Sequence, residues 1–191
     1  MGLLTYGMLT SLDGYTAGPD EDFDWATPTP LVHRHANVGM RDSSLEIYGR
    51  RMYETMKVWQ DIDDATPMEP GPWRDAMLEF ADLWRDTDKV VVSTTLDHVD
   101  TPRTTLVDDL DATTLANLKA ERAGGLTISG PTLAAAALRY GLVDEVSRYI
   151  APVVVGGGTP WWPAGVPAQL ELLASEELDE GWVYLRYRVV D

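Results

Sequence analysis

Three places in this sequence set a small or hydroxyl-bearing residue beside groups that bind anions. Gly49-Arg50-Arg51-Met52 offers two guanidinium forks next to a glycine, and Ser93-Thr94-Thr95 offers three hydroxyls. Ser129-Gly130-Pro131-Thr132-Leu133 offers a glycine followed by a proline. Arginine forks match phosphate oxygens two at a time. Helix N-termini present unpaired N–H groups and the positive end of a dipole. Proline fits a first helical position, where its missing N–H costs nothing, and glycine admits close backbone approach. Together the three junctions predict a site for a phosphorylated ligand.

Other chemistries are poorly represented. No G-x-G-x-x-G follows the first strand, and neither G-x-x-x-x-G-K-S/T nor G-x-S-x-G occurs. Gly156-Gly157-Gly158-Thr159 has the wrong spacing for a nucleotide fingerprint. It reads either as a flexible turn at a strand end or as a loop pressed against a ligand. His33 and His35 are two apart, so they diverge on a helix, and His98 lies in a polar loop. No metal site is expected. The absence of cysteine removes disulfides, thiolate nucleophiles and Cys-based zinc sites.

The chain has 191 residues, with 31 acidic and 15 basic side chains and a net charge of -16. A field of that sign repels nucleic acid and anionic membrane surfaces, so neither is an expected partner. It also repels an anionic ligand at long range, which puts weight on local cations. Arg50-Arg51 is the strongest basic pair. The apolar runs at 133–138 and 150–155 are far short of a membrane span. The opening residues lack a basic n-region and a cleavage site, so a cytoplasmic protein is expected.

The elements that must position these groups follow from periodicity. Residues 3–12 read as a strand ended by Ser11-Leu12-Asp13-Gly14. The acidic, Pro-rich stretch 19–30 reads as a loop able to fold over a site. Helices are predicted over 31–44, 50–59, 73–85, 113–122 and 132–140. Further strands are predicted over 45–48, 89–93, 105–107, 126–129 and 145–155, the last interrupted by Pro152. Residues 170–175 and 182–190 alternate apolar and polar side chains, as an antiparallel pair at a sheet edge does. Strands alternating with helices predict one α/β domain over 1–191, its mostly parallel sheet covered on both faces.

These residues carry a resemblance. Ser11-Leu12-Asp13-Gly14-Tyr15-Thr16-Ala17-Gly18, Tyr48-Gly49-Arg50-Arg51-Met52-Tyr53-Glu54, Lys89 to Leu96, Ser129 to Leu133, Gly141-Leu142-Val143-Asp144-Glu145 and Pro152 to Thr159 fall in one order along the chain. In that order they resemble the dihydrofolate reductase-like superfamily, and more closely the C-terminal reductase domain of the bifunctional riboflavin-biosynthesis deaminase-reductase. The resemblance implies a three-layer α/β/α fold with a mixed sheet of about eight strands and NADPH as hydride donor. It implies that Gly49, Arg50, Arg51, Met52, Ser93, Thr94 and Thr95 hold the adenosine 2′-phosphate and pyrophosphate. Gly130, Pro131, Thr132 and Leu133 would meet the pyrophosphate and nicotinamide side. Thr16, Ala17 and Gly18 would cover the nicotinamide, with Thr159 near it.

Two departures shape the functional expectation. Met52 stands where the reductases commonly have a phosphate-binding threonine, and the 31–37 segment lacks the carboxylate that holds a pterin. The chain is therefore expected to be an NADPH-dependent reductase of a small heterocyclic or carbonyl-type substrate, not a true dihydrofolate reductase. Asp13, Trp25 and His33 are placed near the substrate, Asp13 or water as proton source. A degenerate NADPH-binding module and a riboflavin-pathway pyrimidine reductase are the alternatives. The latter needs a second basic patch, for which Arg34, Arg41 and Arg74 are candidates. The family and the Trp161-Trp162-Pro163 segment imply a homodimer.

Overall fold

The computed structural model describes residues 1–190. Ten strands and five α-helices follow in the order β1 (Leu4–Thr10), β2 (Tyr15–Ala17), α1 (Pro30–Arg41), β3 (Ser43–Gly49), α2 (Arg50–Met56), α3 (Pro72–Asp86), β4 (Asp88–Val92), β5 (Thr104–Val107), α4 (Ala112–Glu121), β6 (Gly125–Ser129), α5 (Pro131–Arg139), β7 (Glu145–Ile150), β8 (Thr159–Pro160), β9 (Gln169–Glu177) and β10 (Val183–Val190). Eight strands form one sheet in the order β5-β4-β3-β6-β1-β7-β10-β9. The first six run parallel, and β10 and β9 close one edge antiparallel.

Side-chain alternation divides the core. On one face Leu4, Tyr6, Leu45, Ile47, Ile128 and Val146 pack against Leu115 of α4 and Ala134 and Ala137 of α5. On the other, Tyr48 and Val91 meet Tyr53 of α2, and Val32 of α1 meets Ala151 and Trp182. The alanine face of α5 lets that helix lie close to the sheet. Thr29 starts α1: its hydroxyl accepts the Val32 N–H at 3.2 Å, with Pro30 at the first helical position.

Three boundaries differ from the sequence expectation. The first helix ends at Arg41, because Ser43 already pairs with Gly125 in the sheet. The strand expected over 145–155 stops at Ile150: its neighbour β1 ends at Thr10, and Val153 N–H turns back onto Ala151 C=O at 2.8 Å. Residues 57–60, expected to continue α2, tighten into a 3₁₀ turn. The Trp161-Trp162 segment does not offer an exposed apolar surface. Trp161 is buried, stacked on Tyr6 at 5.6 Å, and the Trp162 indole N–H donates to Val166 C=O at 2.6 Å.

Candidate functional site

The three junctions come together at the carboxyl end of the sheet. Val92 lies opposite Gly49 in the β4–β3 ladder, and Tyr48 lies opposite Ser129 in the β3–β6 ladder. Ser93-Thr94-Thr95, Gly49-Arg50-Arg51 and Gly130-Pro131-Thr132 therefore leave three adjacent parallel strands side by side. β1 is next in order. Four strands at about 4.8 Å spacing offer an extended ligand roughly 14 Å of edge.

The helices starting there keep their first N–H groups free of side-chain caps. Thr29 caps α1 and Asp111 caps α4, whereas Gly49 and Gly130 give α2 and α5 no side-chain cap. A Cβ added at Gly49 or at Gly130 would meet nothing within 4 Å. Both helix starts thus open onto unfilled space, where uncapped N–H groups can meet an anion. Arg50 pairs with Glu54 at 3.2 Å and Arg51 with Glu21 at 2.8 Å. Both pairs are exposed, worth at most about 1 kcal/mol, and a phosphate can displace them. Thr94, Thr95 and Thr132 are exposed, while Ser93 Oγ accepts the Thr95 and Leu96 N–H groups at 3.1 Å. The Met52 side chain packs into the cluster of Tyr48, Tyr53 and Val91, so only its backbone is available to a ligand.

A small two-stranded flap stands over the end of β1. Ala17 pairs with Thr159, and Thr16 Oγ1 donates to Thr159 C=O at 3.2 Å. This brings Thr16, Ala17, Gly18 and Thr159 together across most of the chain length. The triple glycine serves the flap. A Cβ at Gly158 would lie 2.1 Å from Ala17 O, so the loop is pressed against backbone rather than against a ligand.

Asp13 ties the loop before β8 to the turn after β1. Its carboxylate accepts the Val155 and Gly156 N–H groups at 3.2 and 2.8 Å. Hydrogen bonding to Ser11, and to these amides, holds its carboxyl below the usual range. These bonds favour the ionised carboxylate.

Trp25 sits in the cluster of Val32, Ala151 and Trp182 on the α1 side, alongside Leu9. Its buried indole N–H has no partner, like those of Trp84 and Trp161. His33 lies in the seam between α1 and α3, edge-on to Trp59, Trp73 and Phe80 at 5.4–5.6 Å. Burial holds its imidazole below the usual range, so it is neutral there. Arg41 is paired with Glu79, Arg74 is paired with Asp64, and Arg34 is exposed.

Sequence reasoning missed Arg148. Its Nε and Nη2 donate to Thr10 Oγ1 at 3.2 and 2.9 Å, and its Cζ lies 4.7 Å from the Trp161 ring centroid. It shares a face with Val146 and Ile150, so a charged residue at an inward strand position was the available signal. No group of three or more His, Cys, Asp or Glu that could hold a metal occurs among the described residues. No described helix is long and apolar enough to cross a membrane.

A family profile described as the RibD C-terminal domain matches residues 3–184. The chain belongs to the RibD C-terminal domain family. Its fold is that of several solved structures. A protein from Shewanella sp. PV-4, assigned to riboflavin biosynthesis, is 21% identical over 99% of both chains, with a TM-score of 0.76. The diaminohydroxyphosphoribosylaminopyrimidine deaminase/5-amino-6-(5-phosphoribosylamino)uracil reductase of Thermotoga maritima is 12% identical over 99% of this chain and 57% of its own, with a TM-score of 0.65. Dihydrofolate reductase from Enterococcus faecalis, solved with NADP(H), is 14% identical over 100% of this chain and 98% of its own, with a TM-score of 0.61. Among curated protein sequences none matches. The family is one of riboflavin-pathway reductase domains, which makes this chain an oxidoreductase by family.

Proposed function

We propose that the protein is an NADPH-dependent reductase of a small heterocyclic or carbonyl-type substrate. One observation carries this reading most directly: two helices begin at glycines, without side-chain caps, on adjacent strand ends that open onto unfilled space. The residues fit the cofactor. α2 and α5 would hold the pyrophosphate, Arg50 and Arg51 the 2′-phosphate, and the flap of Thr16–Gly18 and Thr159 the nicotinamide side. When bound, the nicotinamide supplies a hydride. The protein's part is to orient the two rings, exclude water under the flap, and present the Trp25 N–H to an acceptor on the substrate.

NADPH should raise the thermal midpoint and change cofactor fluorescence, with NADH far weaker. No shift and no fluorescence change at micromolar NADPH would sink the proposal. A riboflavin-pathway pyrimidine substrate is supported by family membership and by the name of the Thermotoga relative. A degenerate NADPH-binding module is the second reading. It is favoured by Asp13, the one acid among the expected site residues, being held ionised by the loop. NADPH binding without consumption across pterin, ribityl-pyrimidine and quinone substrates would select it. A homodimer is proposed through edge strand β9, where Leu170, Leu172 and Leu173 are exposed; light scattering giving one monomer mass would remove it.

A further inference from the structure

Basic residues gather a second time, at the amino-terminal end of the sheet, far from the flap. Asp88 opens β4 and receives two arginines. Arg103 Nη2 lies 2.9 Å from one carboxylate oxygen and Arg122 Nη1 2.8 Å from the other. Arg122 Nη1 also donates to Ser44 C=O at 3.0 Å. Two cavities meet at this cluster. One, of about 310 Å³, adds Lys89, Thr104 and Thr105 to its walls; the other, of about 360 Å³, adds Arg41 and Asp86. Arg41, Lys89, Arg103 and Arg122 thus stand together here, among Asp86, Asp88, the Arg41 partner Glu79, and Glu46, which acts on Lys89.

Two features favour an anionic occupant. Arg103 is a non-glycine residue with φ of 55°, a left-handed conformation that L side chains adopt at a cost of about 1–2 kcal/mol. That conformation is held by its carbonyl accepting Lys89 N–H at 2.8 Å, and Arg103 lines both cavities. Finally, the donors exceed the acceptors. Arg103 Nε and Nη1 and Arg122 Nε and Nη2 make no hydrogen bond among the described residues. Lys89 contributes charge rather than a contact, since its ammonium is engaged by Trp84 and Thr87 carbonyls.

We propose that this end of the sheet binds a compact dianion, a phosphate group held between Arg103 and Arg122, at a site separate from the cofactor junctions. Asp88 meets one nitrogen of each guanidinium and competes with the anion. The site is connected to the cofactor end by one strand. β4 begins at Asp88 and its exit carries Ser93, roughly 17 Å away at strand rise.

The test uses the full chain in phosphate-free buffer at constant ionic strength. Inorganic phosphate and ribose 5-phosphate are titrated separately while backbone amide and guanidinium NMR shifts are followed. The site predicts saturable shifts at Asp88, Arg103, Thr104 and Arg122 at millimolar phosphate or below. Arg103→Ala and Arg122→Ala should each weaken binding about tenfold, with Arg103→Lys retaining part of it in case the alanine variants unfold. Asp88→Asn should tighten binding several-fold, because it removes the competing carboxylate. A saturable response to the ester as well as to the free ion marks a phosphorylated metabolite; a response to the free ion alone marks inorganic phosphate. Non-saturating shifts, shifts confined to α2 and α5, or no gain on Asp88→Asn would overturn the proposal. A salt bridge serving only the fold predicts that last result.

Discussion

Arg148 lies with its guanidinium 4.7 Å from the centre of the Trp161 ring, and among the described residues no carboxylate answers its charge. The pair joins the two roots of the flap. Arg148 bonds Thr10 Oγ1, just before the turn into β2, and Trp161 directly follows β8. Trp161 N–H donates to Gly14 C=O at 2.9 Å, and the Tyr6 hydroxyl donates to Trp161 C=O at 2.8 Å. The flap is therefore anchored on β1 and β7, by a cation held against an aromatic face.

Arg148→Met keeps bulk and removes both the cation and the donors. It should lower stability by about 1–3 kcal/mol and speed amide exchange at Tyr15, Thr16, Ala17 and Trp161. NADPH affinity should fall with it. Exchange at those amides equal to that of the unmodified protein would show that the flap does not depend on the pair.

Arg50→Ala with Arg51→Ala should weaken NADPH by about tenfold to a hundredfold, the worth of one or two charged hydrogen bonds. NADH binding should change little, and the melting temperature should stay, because the Glu54 and Glu21 pairs are exposed. Calorimetric titration of both cofactors reads the difference. An equal loss for NADPH and NADH would place the arginines away from the 2′-phosphate.

Glu46 makes stability depend on pH in a defined direction. It is buried on β3, where desolvation raises its carboxyl from 4.5 to about 7, against hydrogen bonds from Ser43, Thr127 and Tyr48. Between those values the unfolded chain has lost the proton and the folded chain keeps it. Stability then falls as pH rises across that window, by on the order of 3 kcal/mol if the group acted alone. Lys89, pushed down to about 8 by burial, works the other way: stability rises between about 8 and 10.5. Glu46→Gln should flatten the acid-side fall in denaturant titrations and leave the alkaline rise. An unchanged slope below pH 7 would contradict the assignment.

Periodicity made the large sheet legible because its strands and helices bury continuous apolar stripes. It could not reveal β2 and β8, which are three and two residues long and pair across more than 140 positions. Too short to show a period, they exist through contacts made elsewhere, at Gly158 and Trp161. Val153 to Val155 look like strand because they are apolar and branched, yet they meet Leu12 and Asp13 in a turn instead of a ladder. The three junctions were readable since their signals are local: glycine, hydroxyl and arginine at a strand exit. The aromatic surroundings of His33 were not, because three of its neighbours come from two later segments.

Gly49 gives the sharpest separation of fold from ligand. Its φ of -77° is open to any residue, and a Cβ there would touch no neighbour within 4 Å. Neither backbone conformation nor packing asks for glycine, so the protein alone can accept alanine at a stability change below about 1 kcal/mol, the cost of a poorer N-cap. A pyrophosphate lying against the first turn of α2 cannot accept it, because the added methyl stands where the oxygens approach the N–H groups. Gly49→Ala should therefore keep the melting temperature and weaken NADPH about tenfold or more. Gly158→Ala, which meets Ala17 O at 2.1 Å, should instead lose stability before it loses cofactor. Undiminished NADPH binding by Gly49→Ala would move the cofactor off this helix.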